Sequence, residues 1–142
     1  MRALQGWLFV VLLAVAGTLS PSSRADEADA TAIRNVISDQ MAAFQIDDGA
    51  AAFAFASPSI QTRFQTPEIF MSMVKTGYAP VYRPQSVEFR ELMQEAGGPV
   101  QIVHVVGPDG RAVFALYSME QQPDGSWRID GCTLTAAPDV GA

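Results

Sequence analysis

The chain contains one cysteine and one histidine in 142 residues. With Cys132 alone, no disulfide framework can form within it, and no cysteine–histidine spacing of a metal site can be assembled. No glycine-rich phosphate loop, nucleophilic serine elbow or metal-ligand box occurs, so no metal and no cofactor is expected. Positive charge is scarce as well: nine Lys+Arg face fifteen Asp+Glu, for a net charge of −6. Without a basic cluster the electrostatic footprint of nucleic-acid binding is missing, and no nucleic-acid partner is expected. Charged residues of both signs make up only 17% of the chain and hydrophobic ones 49%, which excludes the composition of a disordered protein. The length fits one domain.

Long apolar runs are also rare, and the one present is N-terminal. Arg2 precedes an unbroken run from Trp7 to Ala16, which Gly17 and Pro21 end. Ser23 and Ala25 supply the small residues of a cleavage site after Ala25, so residues 1–25 read as a secretory signal peptide. The run is shorter than the ~18 residues of a spanning helix, and no cysteine follows it to accept a lipid. Cleavage removes Arg2 and Arg24 and leaves 117 residues, with seven basic against fifteen acidic side chains. The product is expected to be exported, periplasmic or secreted, with no membrane association once the signal is gone.

The remaining chain changes grammar halfway. Residues 26–30 read as a short acidic leader, residues 31–136 as a single domain and residues 137–142 as a tail. Thr31 can cap a helix whose buried face carries Ile33, Val36, Ile37, Gln40, Met41 and Phe44 at helical spacing. Asp47-Asp48-Gly49 interrupts it, with Asp48 placed to cap a second short helix over Ala50–Ala56. Ser57-Pro58 and Thr66-Pro67 each present a capping residue followed by proline at the first helical position. The helix after Thr66 should bury Ile69, Phe70, Met73 and Val74 and stop at Gly77. Ala79 to Pro84 reads as an extended linker, because each proline disfavours helix at the residue before it. Strands are expected at Ser86–Met93, Val100–Val106, Ala112–Gln121 and Trp127–Thr135. Two Pro-Asp-Gly turns separate the last three, each fitting a three-residue hairpin loop. The expected fold is α+β: N-terminal helices packed on a curved four-stranded antiparallel meander.

With three-residue loops, Val105 meets Val113, Val103 meets Ala115, Tyr117 meets Gly131, Met119 meets Ile129 and Gln121 meets Trp127. One sheet face then carries Val103, Val105, Val113, Ala115, Tyr117, Met119, Trp127 and Ile129, and helices should cover it. The other carries Ile102, His104, Phe114, Leu116, Ser118, Glu120, Arg128, Asp130 and Cys132. Its apolar centre and polar ends suggest a second copy as partner. A four-residue loop in the first hairpin would instead turn His104 towards the helices.

Several runs carry a resemblance: Gln40-Met41-Ala42-Ala43-Phe44 with Asp47-Asp48, Ala52 to Pro58, Thr66 to Met71, Tyr78 to Pro84, and Asp124 to Cys132. In word order and spacing, residues 30–135 resemble an exported bacterial family described as domain of unknown function 4864. The helices-then-meander order is similar to the nuclear transport factor 2-like (cystatin-like) cone. That resemblance implies a pocket between sheet and helices and a homodimer through the outer sheet face; it implies no activity.

Two functions follow as expectations. The first is an exported, non-catalytic module that binds a small molecule or a protein partner as a homodimer. Tyr78, Tyr82 and Arg83 can grip a flat or anionic ligand from a proline-stiffened loop, with Gln40 and Tyr117 lining the same pocket. Alternatively the tyrosines anchor that loop and Arg83 pairs with a local acid. Ile102, His104, Phe114, Leu116 and Cys132 would form the dimer face, Cys132 as a small interface residue or in an intermolecular disulfide. The second function is a small isomerase-, dehydratase- or hydrolase-like enzyme with His104 or Asp47 as base and Tyr117 or Tyr78 as hydrogen-bond donor. Against it stands an inner face with no acid or imidazole on its last three strands.

Overall fold

The computed structural model describes Gly17 and residues 21–138. The expected signal segment lies outside the described residues except for Gly17 and Pro21–Ala25, and Asp139–Ala142 of the expected tail lie outside them too. Five helices precede four strands: α1 (Pro21–Gln45), α2 (Gly49–Ala54), α3 (Pro58–Phe64), α4 (Pro67–Gly77), α5 (Ala79–Tyr82), β1 (Ser86–Glu95), β2 (Gly98–Val106), β3 (Ala112–Gln121) and β4 (Trp127–Ala136). The strands form one open antiparallel sheet in sequential order, so the α+β class read from the sequence is what the chain adopts. None of the described helices is long and apolar enough to cross a membrane.

Helix α1 starts ten residues ahead of the expected cap at Thr31 and runs through the stretch read as a leader. Asp26–Ala30 hold neither glycine nor proline and are rich in alanine, so nothing there stops a helix. Asp29 also gives this turn a tertiary tie, accepting a 3.3 Å hydrogen bond from Trp127 Nε1. Further along, Ile33, Ile37, Gln40, Met41 and Phe44 are buried, as their spacing predicts.

The capping devices act as expected. Asp48 accepts from Ala51 N at 3.1 Å, Ser57 from Ile60 N at 3.3 Å and Thr66 from Ile69 N at 3.2 Å. Two details differ. Helix α4 buries Phe70, Met71 and Val74 and leaves Ile69 50% exposed, because its inward stripe is rotated by part of a turn. The expected linker at Ala79–Pro84 opens with a helical turn, α5. Proline in a first turn gives up no hydrogen bond the helix would have made, and Pro80 sits there.

Helices cover one face of the sheet. Val103, Val105, Ala115, Tyr117, Met119, Trp127 and Ile129 are buried beneath them, in one cluster with Ile33, Ile37, Phe44, Phe70 and Val74. The β2–β3 register is the one counted from the turn, with Val105 opposite Val113, Val103 opposite Ala115 and His104 opposite Phe114. The β3–β4 register agrees only at first. Gln121 pairs with Trp127 and Met119 with Ile129, but Ser118 then pairs with Gly131 and Tyr117 with Cys132. Asp130 is the extra residue of a β-bulge. A one-residue slip reverses every side chain beyond it, so the expected pairing of Tyr117 with Gly131 is corrected. The site depends on that correction.

Candidate functional site

The bulge lies on β4, an edge strand. Its free side is partly occupied by Phe55–Ser57, the segment leading into α3. Ser57 N donates to Ile129 O at 2.8 Å and Ile129 N to Phe55 O at 2.8 Å, so this segment pairs with β4 just before the bulge. Bulges on edge strands re-aim side chains, and here two residues assigned from the sequence to the outer face change place. Asp130 receives a 2.7 Å hydrogen bond from Ser57 Oγ and lines a cavity between β4 and the helices. Cys132 packs against the core cluster and lines the same cavity. Cys132 therefore leaves the proposed dimer face, and with it goes the geometry for a disulfide across that face. The expectation that the inner side lacks an acid also falls, since Asp130 supplies one.

The cavity has a volume of about 240 Å³. Phe44, Phe64, Phe70, Met73 and Val74 make its apolar walls, and Gln40, Arg63, Tyr78 and Asp130 its polar points. The aromatic walls pack on one another: Phe70 meets Phe64 edge-on at 5.8 Å and Phe44 at a tilt at 6.4 Å, centroid to centroid. Gln40 is buried and gives its Nε2 hydrogen to Ala52 O at 3.1 Å. Tyr78 donates its hydroxyl to Cys132 O at 3.0 Å, which ties the end of α4 to the strand beyond the bulge. Of the expected ligand residues, Gln40 and Tyr78 thus line the cavity.

Tyr117 lies at the inner face, 1% exposed, with no hydrogen-bond partner for its hydroxyl among the described residues. Burial and the neighbouring Cys132 hold its proton far more tightly than usual. Burial pushes the Cys132 thiol up to about 12, so it is protonated at neutral pH and is no thiolate nucleophile there.

Tyr82 and Arg83 go elsewhere. The Tyr82 hydroxyl donates to Asp47 Oδ1. Arg83 donates to Phe44 O, to Tyr82 O at 3.1 Å and to Asp47 Oδ2 at 3.2 Å. Its guanidinium also stacks 4.0 Å from the centre of the Tyr82 ring. Asp47 sits at φ 54° just past the end of α1, and its carboxyl is held below the usual range, first by the Tyr82 hydroxyl and then by Arg83. Here Arg83 adds a second donor to the Phe44 carbonyl near the end of α1, which also accepts from Asp47 N at 3.1 Å. Of the two sequence readings, loop anchor or ligand grip, the contacts are those of the anchor. Asp47, offered as a possible base, is part of that anchor.

His104 takes the outer face, half-buried and edge-on to Phe114 at 5.5 Å between ring centres. It is directed away from the cavity, as the three-residue hairpin predicts. Ile102, Phe114 and Leu116 share a shallow groove on this face with Arg90, Glu91 and Thr135. No group of three or more His, Cys, Asp or Glu able to hold a metal occurs among the described residues.

Sequence reasoning missed Asp130 as a cavity residue, read Ser57 only as a helix cap, and did not single out Arg63 or Gln101. The signal for the first was Gly131, since glycine inside a strand often marks a bulge. Gln101 is fully buried on β2 and donates to Arg90 O, Glu91 O and Ile102 O at 2.8–3.3 Å; the first two are carbonyls of a second irregularity in β1. Among known proteins, the family model "Domain of unknown function (DUF4864)" matches residues 26–142. No curated protein and no solved structure matches the chain. The chain belongs to the DUF4864 family.

Proposed function

We propose that this DUF4864 protein is an exported, non-catalytic module that holds a small, largely apolar ligand between its helices and β4, and that it works as a homodimer. The observation that carries the ligand is the cavity: aromatic and aliphatic walls with a few convergent polar groups are the composition of small-molecule sites. Export rests on the N-terminal apolar run and the small residues before Asp26. The nuclear transport factor 2-like cone is the architecture that best accommodates these features, since it joins a pocket between sheet and helices to a dimerising outer face. The dimer rests on Ile102, Phe114 and Leu116, an apolar centre with no helix of the described residues over it. A two-fold partner would bury that patch against its own copy.

Native mass spectrometry of the protein purified from its own host tests both halves, and a dimer mass with a small-molecule adduct is the expected result. A bare monomer without adduct would rule the proposal out. Leu116→Asp should give a monomer in light scattering while leaving the cavity intact.

One observation favours a second reading, a small cone-fold enzyme: Asp130 places a carboxylate in the cavity, where an outward His104 and an anchored Asp47 cannot act. Turnover of a bound ligand that disappears in Asp130→Asn would replace the first reading with this one.

A further inference from the structure

Two opposite charges line the cavity without meeting. Arg63 stands in the last turn of α3, exposed at the mouth, and forms no ion pair among the described residues. Asp130 is half-buried, and among the described residues only Ser57 Oγ hydrogen-bonds its carboxylate, at Oδ1. A carboxylate drawn partly out of water needs a hydrogen-bonding or cationic complement. Arg63 is more than 4 Å away and does not provide one. The rings of Phe64 and Phe70 and the side chain of Met73 line the same cavity.

We propose that the ligand is a small zwitterion with an apolar body, such as an aromatic or aliphatic α-amino acid. Its ammonium group would meet Asp130, its carboxylate Arg63, and its side chain the aromatic wall. This rests on the cavity being a ligand site, and it names the class of molecule that completes both charges at once. A fatty or aromatic acid would leave Asp130 unanswered, and an amine would leave Arg63 free. A neutral hydrocarbon would answer neither.

Isothermal titration of the purified exported protein with four related probes separates these cases: L-phenylalanine, 3-phenylpropanoate, 2-phenylethylamine and toluene. Phenylalanine should bind at least tenfold more tightly than any other. Asp130→Asn should abolish its advantage over phenylpropanoate, and Arg63→Gln its advantage over phenylethylamine. Arg63 is a surface residue, so the second variant reads out even where Asp130→Asn melts early. Equal binding of a singly charged or neutral probe overturns the zwitterion and leaves the cavity reading standing. The same holds if none binds while native mass spectrometry shows an adduct of another class. No binding together with no adduct removes both.

Discussion

Asp47 and Asp130 both sit where regular structure breaks, and they differ in what answers them. Asp47 follows the last turn of α1 in a left-handed conformation and is met by the Tyr82 hydroxyl and the Arg83 guanidinium. Asp130 is the extra residue of the β4 bulge and is met by one serine hydroxyl. The first cluster closes on itself: its donors and acceptors are used to fasten α5 to the end of α1. The second is left open onto an apolar cavity, with an arginine at its mouth that pairs with no acid among the described residues. Charge answered within the chain reads as a fastener, and charge left unanswered beside an apolar wall reads as a place for a ligand.

Phe44 joins the two regions. Its carbonyl accepts from Arg83, its ring lies 6.2 Å from that of Tyr82, and it lines the cavity. Phe44→Ala should therefore cost the most, about 3–5 kcal/mol in urea denaturation, the usual range for a buried phenylalanine. It should weaken ligand binding as well. A loss under about 1 kcal/mol would mean that the two regions are not coupled through this side chain.

Removing the fastener alone should cost less. Arg83→Ala takes away bonds to two carbonyls and one carboxylate, but the ion pair is partly exposed and screened. A loss of about 1 kcal/mol is expected, with ligand affinity unchanged. The reverse pattern, stability kept and affinity lost, would make Arg83 a ligand residue after all.

Acid sharpens the same contrast. The Asp47 carboxyl titrates below its ordinary value in the folded chain, so the folded state releases this proton more readily than the unfolded one. Its stabilising contribution is present above the unfolded value of 3.8 and fades as pH falls through the lower folded value. Asp47→Asn should flatten the acid limb of a stability-against-pH curve measured by denaturation below pH 4. An unchanged acid limb would show that the fastener does not depend on this charge.

The elements that came through from sequence are those set by local rules. Ser57-Pro58 and Thr66-Pro67 cap helices because a side-chain oxygen and a donorless proline solve a problem confined to one turn. The two Pro-Asp-Gly loops set the β2–β3 register and the first part of β3–β4, and so the outward direction of His104. What did not come through depended on distant partners. Tyr82 and Arg83 look like ligand residues until Asp47 and the Phe44 carbonyl, 35 to 39 positions away, are brought beside them. Asp130 and Cys132 were placed on the wrong face because counting outward from a turn assumes an unbroken ladder. The bulge after Ile129 forms where that residue also pairs with Phe55–Ser57, a contact that strand periodicity does not carry. The cavity followed the same error, since its acid was assigned to the opposite side of the sheet.

The smallest effect on stability, and the most direct test of the bulge, belongs to Cys132. An outward thiol on the sheet surface would react with Ellman's reagent much as a free cysteine does. Turned inward with its proton held up to about 12, it should react at pH 8 on the order of a thousandfold more slowly in the native protein than in urea, following the thiolate fraction. Deleting Asp130 sharpens the test. The ladder would then run directly from Met119–Ile129 to Ser118–Gly131, pairs that already exist, so Cys132 stays opposite Tyr117 and the thiol stays slow. What the deletion takes away is the only carboxylate of the described residues that lines the cavity, so it should separate the two consequences of the bulge. Fast labelling of the native protein would place Cys132 on the outer face. The register, the acid in the cavity and the contrast with Asp47 would then all have to be redrawn.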